Sequence, residues 1–274
     1  MPSPRIIATS ASNALAAALA ATLMAACLAG PALAQQARTG AGYVANLSGP
    51  LFALKADGTR RVLSTRSEIH SGDTLITEDR TYARVRFSDT SEVTLRPSTQ
   101  LKIENYSFDR AEPENDNSLF RLFKGALRTV TGLIGRRGNR DAYRMNTATA
   151  TIGIRGTVYG VTVCVPGSCG DQPPGTYVNV IDGSVGIAPA VPTVPGAPPV
   201  PPPAQVVLAA GQFGYVPPTG PATQLPGDPG VGTFAPPASF VQRPDAPPPT
   251  AQLVPGTPAS KPVGGPASGE CEVR

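Results

Sequence analysis

The chain has 274 residues, a net charge of +4 and only 5% aromatic residues, with no tryptophan and one histidine, His70. A balance this close to neutral points to no particular partner. A single histidine argues against a histidine-rich metal centre and leaves a Ser-His-Asp triad one candidate base.

The N-terminus comes first. Arg5 is followed by a run rich in Ala and Leu that ends in Ala32-Leu33-Ala34 ahead of Gln35. A positive start, an apolar stretch and a small-x-small end read as a secretory signal peptide over residues 1–34. Thr22, Gly30 and Pro31 interrupt the run, which is short against the roughly 20 apolar residues of a span. The expectation is a mature protein without a transmembrane segment, working in the periplasm or outside the cell. Lipidation at Cys27 is the other reading, with Met24 standing where such sites usually carry Leu. Nucleic acid is not an expected partner in that compartment.

From Gly42 the pattern is strand after strand. Residues 42–47 and 51–54 read as strands, and Lys55-Ala56-Asp57-Gly58 closes a hairpin, because an Asp-Gly turn favours positive φ. Ser71-Gly72-Asp73 turns into 74–77. Residues 82–87 alternate, with Tyr82, Arg84 and Arg86 on one face and Ala83, Val85 and Phe87 on the other. Further strands are expected over 92–95 and 101–103. An acidic loop, 109–118, precedes two strands around Gly125 and a glycine-rich loop.

Residues 144–163 read as one long strand. Its alternation puts Ala148, Ala150, Ile152, Ile154 and Val158 on one face. Thr147, Thr149, Thr151, Arg155, Thr157 and Tyr159 fall on the other, so Arg155 reads as part of a polar threonine ladder with an architectural role. Cys164 and Cys169 are spaced to close a small disulfide loop in an oxidising space, leaving Cys271 over. Residues 177–181 and 184–187 form a hairpin about Asp182-Gly183, and 206–208 with 213–216 a last strand pair.

Many short strands with Gly, Asp and Pro turns give an all-β domain: a compact antiparallel sandwich or a coil of short strands. The expected organisation is a domain over 42–188, a proline-rich excursion over 189–204, the last strand pair within 205–217, and a disordered proline-rich tail over 218–274. Of the 32 prolines, 23 lie from Pro189 onward, a composition suited to spacers.

Catalytic chemistry finds little footing. No G-x-S-x-G elbow occurs, Gly167-Ser168 sits inside the cysteine loop, and Glu78 with Asp79 adjoins a turn. The expectation is a non-enzymatic protein needing no cofactor and no metal. Charge does cluster: Arg121, Lys124, Arg128, Arg136, Arg137, Arg140 and Arg144 face only Asp141 in their window. Arg128, Arg136, Arg137 and Arg140 are the candidate contacts for an anion or a partner. A solvated face balanced by Glu112, Glu114 and Asp116 is the alternative.

Five segments stand out in order: Gly72-Asp73-Thr74-Leu75-Ile76-Thr77, the run from Val85 to Leu95, Phe123-Lys124-Gly125-Ala126-Leu127-Arg128, Thr151 to Tyr159 with Arg155-Gly156-Thr157 inside it, and Asp182-Gly183-Ser184-Val185. Together they resemble the FecR family. The resemblance spans about residues 42–187. It implies an extracytoplasmic all-β module and makes Gly72, Asp73, Gly125, Arg155, Gly156 and Thr157 its structural signature. Founding members sit in the inner membrane and relay a signal from an outer-membrane ferric-siderophore receptor to a sigma factor. This sequence departs from them: no N-terminal helical domain or retained membrane helix is read, proline-rich sequence stands where the receptor-signalling module would lie, and Thr90 occupies a position the family gives to Gly. The resemblance therefore implies a stand-alone exported binding or scaffold domain whose partner is an envelope protein. The alternative is a secreted structural protein holding an anionic polysaccharide or peptidoglycan through the basic loop.

Overall fold

In the computed structural model the described residues are 40–139, 141–154, 156–191, 203–231 and Phe240. The chain divides into two units after Thr233, and only Phe240 is described in the second. The expected signal peptide, most of the proline excursion, Cys271, Arg140 and Arg155 lie outside the described residues.

Among the described residues the first unit has seventeen strands: β1 (Gly40–Leu47), β2 (Leu51–Leu54), β3 (Arg60–Leu63), β4 (Glu68–His70), β5 (Thr74–Thr77), β6 (Ala83–Phe87), β7 (Glu92–Leu95), β8 (Gln100–Ser107), β9 (Asn117–Val130), β10 (Tyr143–Asn146), β11 (Ala150–Ile154), β12 (Val158–Cys164), β13 (Gly175–Asp182), β14 (Ser184–Pro189), β15 (Val206–Ala209), β16 (Phe213–Val216) and β17 (Thr223–Leu225). A 3-10 turn at Pro113–Asn115 interrupts the acidic loop.

All strands belong to one hydrogen-bonded network, and β9 divides it into two sheets. The first runs β4-β1-β6-β7-β9-β12-β13-β16-β17, antiparallel throughout. The second runs β3-β2-β5-β8-β9-β10-β11-β14-β15, and only its β9–β10 pair is parallel. Successive hairpins thus alternate between the sheets, which makes the fold both a sandwich and a coil of short strands.

The hinge of this arrangement is the middle of β9. Residues up to Lys124 pair with β8 and those from Gly125 onward with β12. Gly125 has φ +85°, and a Cβ there would lie 2.6 Å from the Cα of Thr99. Only glycine meets both demands. The Thr99 hydroxyl donates to the Ala126 carbonyl at 3.0 Å and accepts the Ala126 N–H at 3.1 Å. The Thr77 hydroxyl accepts the Thr99 N–H at 2.9 Å. Three buried threonine contacts therefore satisfy the backbone polar groups that a bend leaves open.

The core lies between the sheets. Val44, Val85, Val93, Leu127 and Val161 from the first face Leu51, Leu75, Leu101, Phe120 and Ile152 from the second, all essentially buried. Phe87, Tyr106, Phe120 and Tyr143 form a series of aromatic contacts with ring centroids 5.1 to 5.6 Å apart.

Several readings of the sequence need correction, among them the two strands expected around Gly125, which are the single bent strand β9. The run 144–163 is β10, β11 and β12, not one strand. Gly156, at φ +68°, takes the backbone from the second sheet to the first and resets the alternation. Thr157 and Tyr159 are therefore buried rather than on a wet face. The strands over 206–208 and 213–216 do not pair with each other: β15 extends β14 in the second sheet and β16 extends β13 in the first. A further strand, β17, lies within the segment read as tail and pairs with β16.

Candidate functional site

Most of the signature residues hold the fold. Gly72 takes φ +89° and donates its N–H to the Ile103 carbonyl at 2.7 Å. The fully buried Asp73 carboxylate accepts the His70 N–H at 3.0 Å and an Arg61 N–H at 3.1 Å. His70 therefore sits in a structural cluster. The Thr157 N–H donates to the Thr131 hydroxyl at 2.7 Å, and its carbonyl accepts the Thr131 N–H at 3.0 Å. Arg136 lies across Gly156, where a Cβ would stand 3.1 Å from its Cγ.

The described candidate basic residues have different surroundings. Arg137 is committed internally. Its guanidinium donates to the Asp109 and Arg110 carbonyls at 2.7 and 2.9 Å, lies 3.2 Å from the buried Asp116 carboxylate, and stacks 4.8 Å above the Phe108 ring. One ion pair, Arg137 with Asp116, thus joins the basic loop to the acidic loop. Arg128 stands on the outer face of the first sheet, in register with Thr94 and Gly160. Arg140 lies outside the described residues.

A second hub escaped the sequence reading. The buried Asp89 carboxylate accepts the Ser91 hydroxyl at 2.6 Å, the Tyr106 hydroxyl at 3.0 Å and the Ile134 N–H at 3.3 Å. Burial, and then the Asp89 charge, push the Tyr106 phenol far above the ordinary tyrosine range. Asp-Thr-Ser between two strands signals a turn and nothing more, so the sequence carries no sign of contacts 17 and 45 residues away.

One open feature among the described residues is a cleft of about 540 Å³ beside the bend of β9. Its walls come from Tyr82, from the turn Arg96-Pro97-Ser98, from Lys124, Gly125 and Ala126 in β9, from Thr162 and Val163 in β12, from the cysteine loop, and from Gly230 and Val231. The disulfide between Cys164 and Cys169 is formed, with the two Cα atoms 5.6 Å apart. Inside its loop the Ser168 hydroxyl donates to the Val165 carbonyl and accepts the Val165 N–H, both at 2.9 Å. The Gln172 side chain donates to the Pro229 carbonyl at 2.9 Å and fixes the approach to Gly230. Ser98, at φ +56°, hydrogen-bonds Asp79. The cleft is thus rigid on three sides, offers hydroxyls and two cations, and has no carboxylate or histidine in its lining among the described residues. Of the predicted residues it brings together Gly125 and Cys169. Lys124 stands in the sequence as part of a basic window and of a FecR-like segment, neither of which marks it as a contact, and nothing in the sequence marks Arg96.

These features define a class: an all-β double-sheet module threaded on one bent strand. Residues 73–186 match the FecR protein family, and a FecR domain occupies that segment. The match begins at Asp73, so β1 to β4 stand outside it while completing both sheets. No curated protein matches this sequence. Among solved structures, two crystal structures of a candidate anti-sigma factor from Parabacteroides distasonis ATCC 8503, at 1.65 and 2.50 Å resolution, are similar to 57% of the present protein. The identity is 14% and the TM-score 0.38, and the match spans 60% of those chains. Among the described residues no helix is long and apolar enough to cross a membrane.

Proposed function

We propose that this protein is a non-enzymatic, exported binding module of the cell envelope, connected with envelope signalling, and that it receives a segment of a partner protein in the cleft beside the bend of β9. The FecR domain supports the envelope and signalling part of this reading. The cleft carries the binding part. It is concave and held by the Thr99 contacts and the cysteine loop, and its volume lies within the roughly 300–1,000 Å³ of ordinary ligand sites. Export rests on the signal-like residues 1–34 together with a disulfide that an oxidising compartment favours.

The polymer-binding alternative depended on the loop at Arg136 and Arg137, and it loses force because Arg137 is engaged with Asp116 and the 109–110 carbonyls. Val165 lines the cleft and is 47% exposed, so Val165→Trp obstructs the site without entering the core. The expected result is that a partner captured from envelope extract by the wild-type protein is lost with Val165→Trp, while thermal stability stays within about 0.5 kcal/mol, as for an ordinary surface change. Retention on peptidoglycan or polysaccharide, unchanged by Val165→Trp, would replace this reading with the polymer one. Mass spectrometry of the exported protein, with Gln35 as its first residue, tests the export step.

A further inference from the structure

We infer that the cleft beside the bend of β9 selects polypeptide segments that present a carboxylate, with Lys124 as the selecting charge; this rests on the binding role proposed above. The charge pattern of the lining is one-sided. Arg96 and Lys124 are cationic, and no Asp or Glu lines the site among the described residues. Asp79, outside the lining, accepts the Ser98 hydroxyl. Arg96 has contacts of its own within the protein, which leaves Lys124 as the selecting cation. That ammonium is exposed and makes no ion pair among the described residues. The next two residues fix the backbone that carries it: Gly125 turns the strand at φ +85°, and the Thr99 hydroxyl clamps Ala126. The Lys124 backbone is thus held beside the cleft, its flexible stem can carry the ammonium to a bound anion, and a partly enclosed site weakens solvent screening of their attraction.

The remaining lining says which kind of anion fits. Pro97, Ala126, Val163 and Val165 supply apolar wall, while Ser98 and Thr162 add hydroxyls that pair with peptide groups. A carboxylate on a short aliphatic segment satisfies both halves at once. A sugar polymer is served less well, because Tyr82 is the only aromatic ring in the described lining and no second ring faces it. A folded anionic surface is too large for about 540 Å³. A peptide carboxylate has two sources, an Asp or Glu side chain and a free C-terminus, and the two are separable.

The test is calorimetric titration of the full-length protein with three probes of one length. Acetyl-Val-Thr-Val-Glu-amide presents a carboxylate on its Glu side chain. Acetyl-Val-Thr-Val-Gln with a free C-terminus presents a terminal one. Acetyl-Val-Thr-Val-Gln-amide presents none. The expected result is that one acidic probe binds at least about tenfold more tightly than the uncharged probe, and the stronger of the two identifies the source. Lys124→Glu, an exposed change that leaves the melting temperature in place, abolishes the preference, and raising salt weakens it. Equal binding of all three probes overturns the inference, as does a preference that survives Lys124→Glu or stronger binding of polygalacturonate than of either acidic peptide. The two levels also come apart. If Val165→Trp removes partner capture but acidic probes do not compete, the carboxylate class falls and the binding module stands. If Val165→Trp changes nothing, both fall.

Discussion

At Thr90 a β-branched residue holds φ +71°, at the tip of the hairpin between β6 and β7. The Thr90 N–H donates to the Phe87 carbonyl at 3.0 Å and the Phe87 N–H to the Ser91 carbonyl at 2.9 Å, the pattern of a tight turn closed by a left-handed residue. Threonine there is strained by its Cβ branching. The hairpin persists because Asp89 is locked beneath it by Ser91, Tyr106 and Ile134. Thr90→Gly relieves that strain at an exposed position, and we expect it to stabilise the protein by about 1 kcal/mol, read from the midpoint of urea unfolding. A fall in the midpoint would mean that the hydroxyl or the branch contributes something the turn geometry does not display. The misfit was legible in the sequence only against a family pattern with Gly at that place. The lock beneath it was not legible, because its partners come from β8 and the loop after β9, and a turn motif says nothing about what packs under the turn.

Among the elements, β9 decides the topology. Strand positions were largely readable, because alternation marks which side chains turn inward: Ala83, Val85 and Phe87 are buried as their spacing predicts. Alternation cannot say which of two sheets a strand joins, so the division at Gly125 appeared in the sequence only as an interruption between two runs. The 144–163 run failed for a related reason. Small and β-branched residues continue through Gly156, while the backbone there changes sheets and inverts the inward set, so Thr157 and Tyr159 exchange faces. Gly125→Ala tests the hinge. The added Cβ meets the Thr99 Cα at 2.6 Å and also occupies φ +85°. Strain at the position and overpacking against Thr99 together cost about 3 kcal/mol, visible as a lowered melting temperature. The variant should also lose whatever the wild-type cleft binds, since Ala126 and Lys124 move with the bend. Thr99→Ala in that background removes the nearest side-chain atom and is expected to return only part of the loss, because the Thr99 backbone still obstructs.

For the whole sandwich, buried phenols set the response to alkali: Tyr106, Tyr143 and Tyr159, with Tyr177 also raised by burial. Tyr143 and Tyr159 are fully buried between the sheets, and Tyr106 is nearly so. Burial raises the pKa of each, well above the ordinary value of about 10. A phenol that holds its proton more tightly when folded contributes stability that is fully present below the unfolded pKa. That contribution drains away as pH climbs past about 10 toward the folded values, because the unfolded protein then releases protons that the folded one keeps. The protein should therefore be insensitive to these groups from neutrality to about pH 9 and lose stability steeply above about pH 10. The hydroxyls of Tyr143, Tyr159 and Thr129 lie close enough to influence one another, yet none makes a hydrogen bond of good geometry among the described residues. Converting both tyrosines to Phe thus removes poorly matched polar groups at little cost in packing. Urea titrations near pH 8 and near pH 11 should find Tyr143→Phe/Tyr159→Phe within about 1 kcal/mol of wild type at the lower pH. At the higher pH the variant should be clearly the more stable. An alkaline limb identical in variant and wild type would assign the loss to the other raised phenols, Tyr177 and Tyr106, the second of which also faces the Asp89 charge; Tyr106→Phe would then flatten the limb if Tyr106 carries it, while giving up stability at neutrality through the broken Asp89 contact.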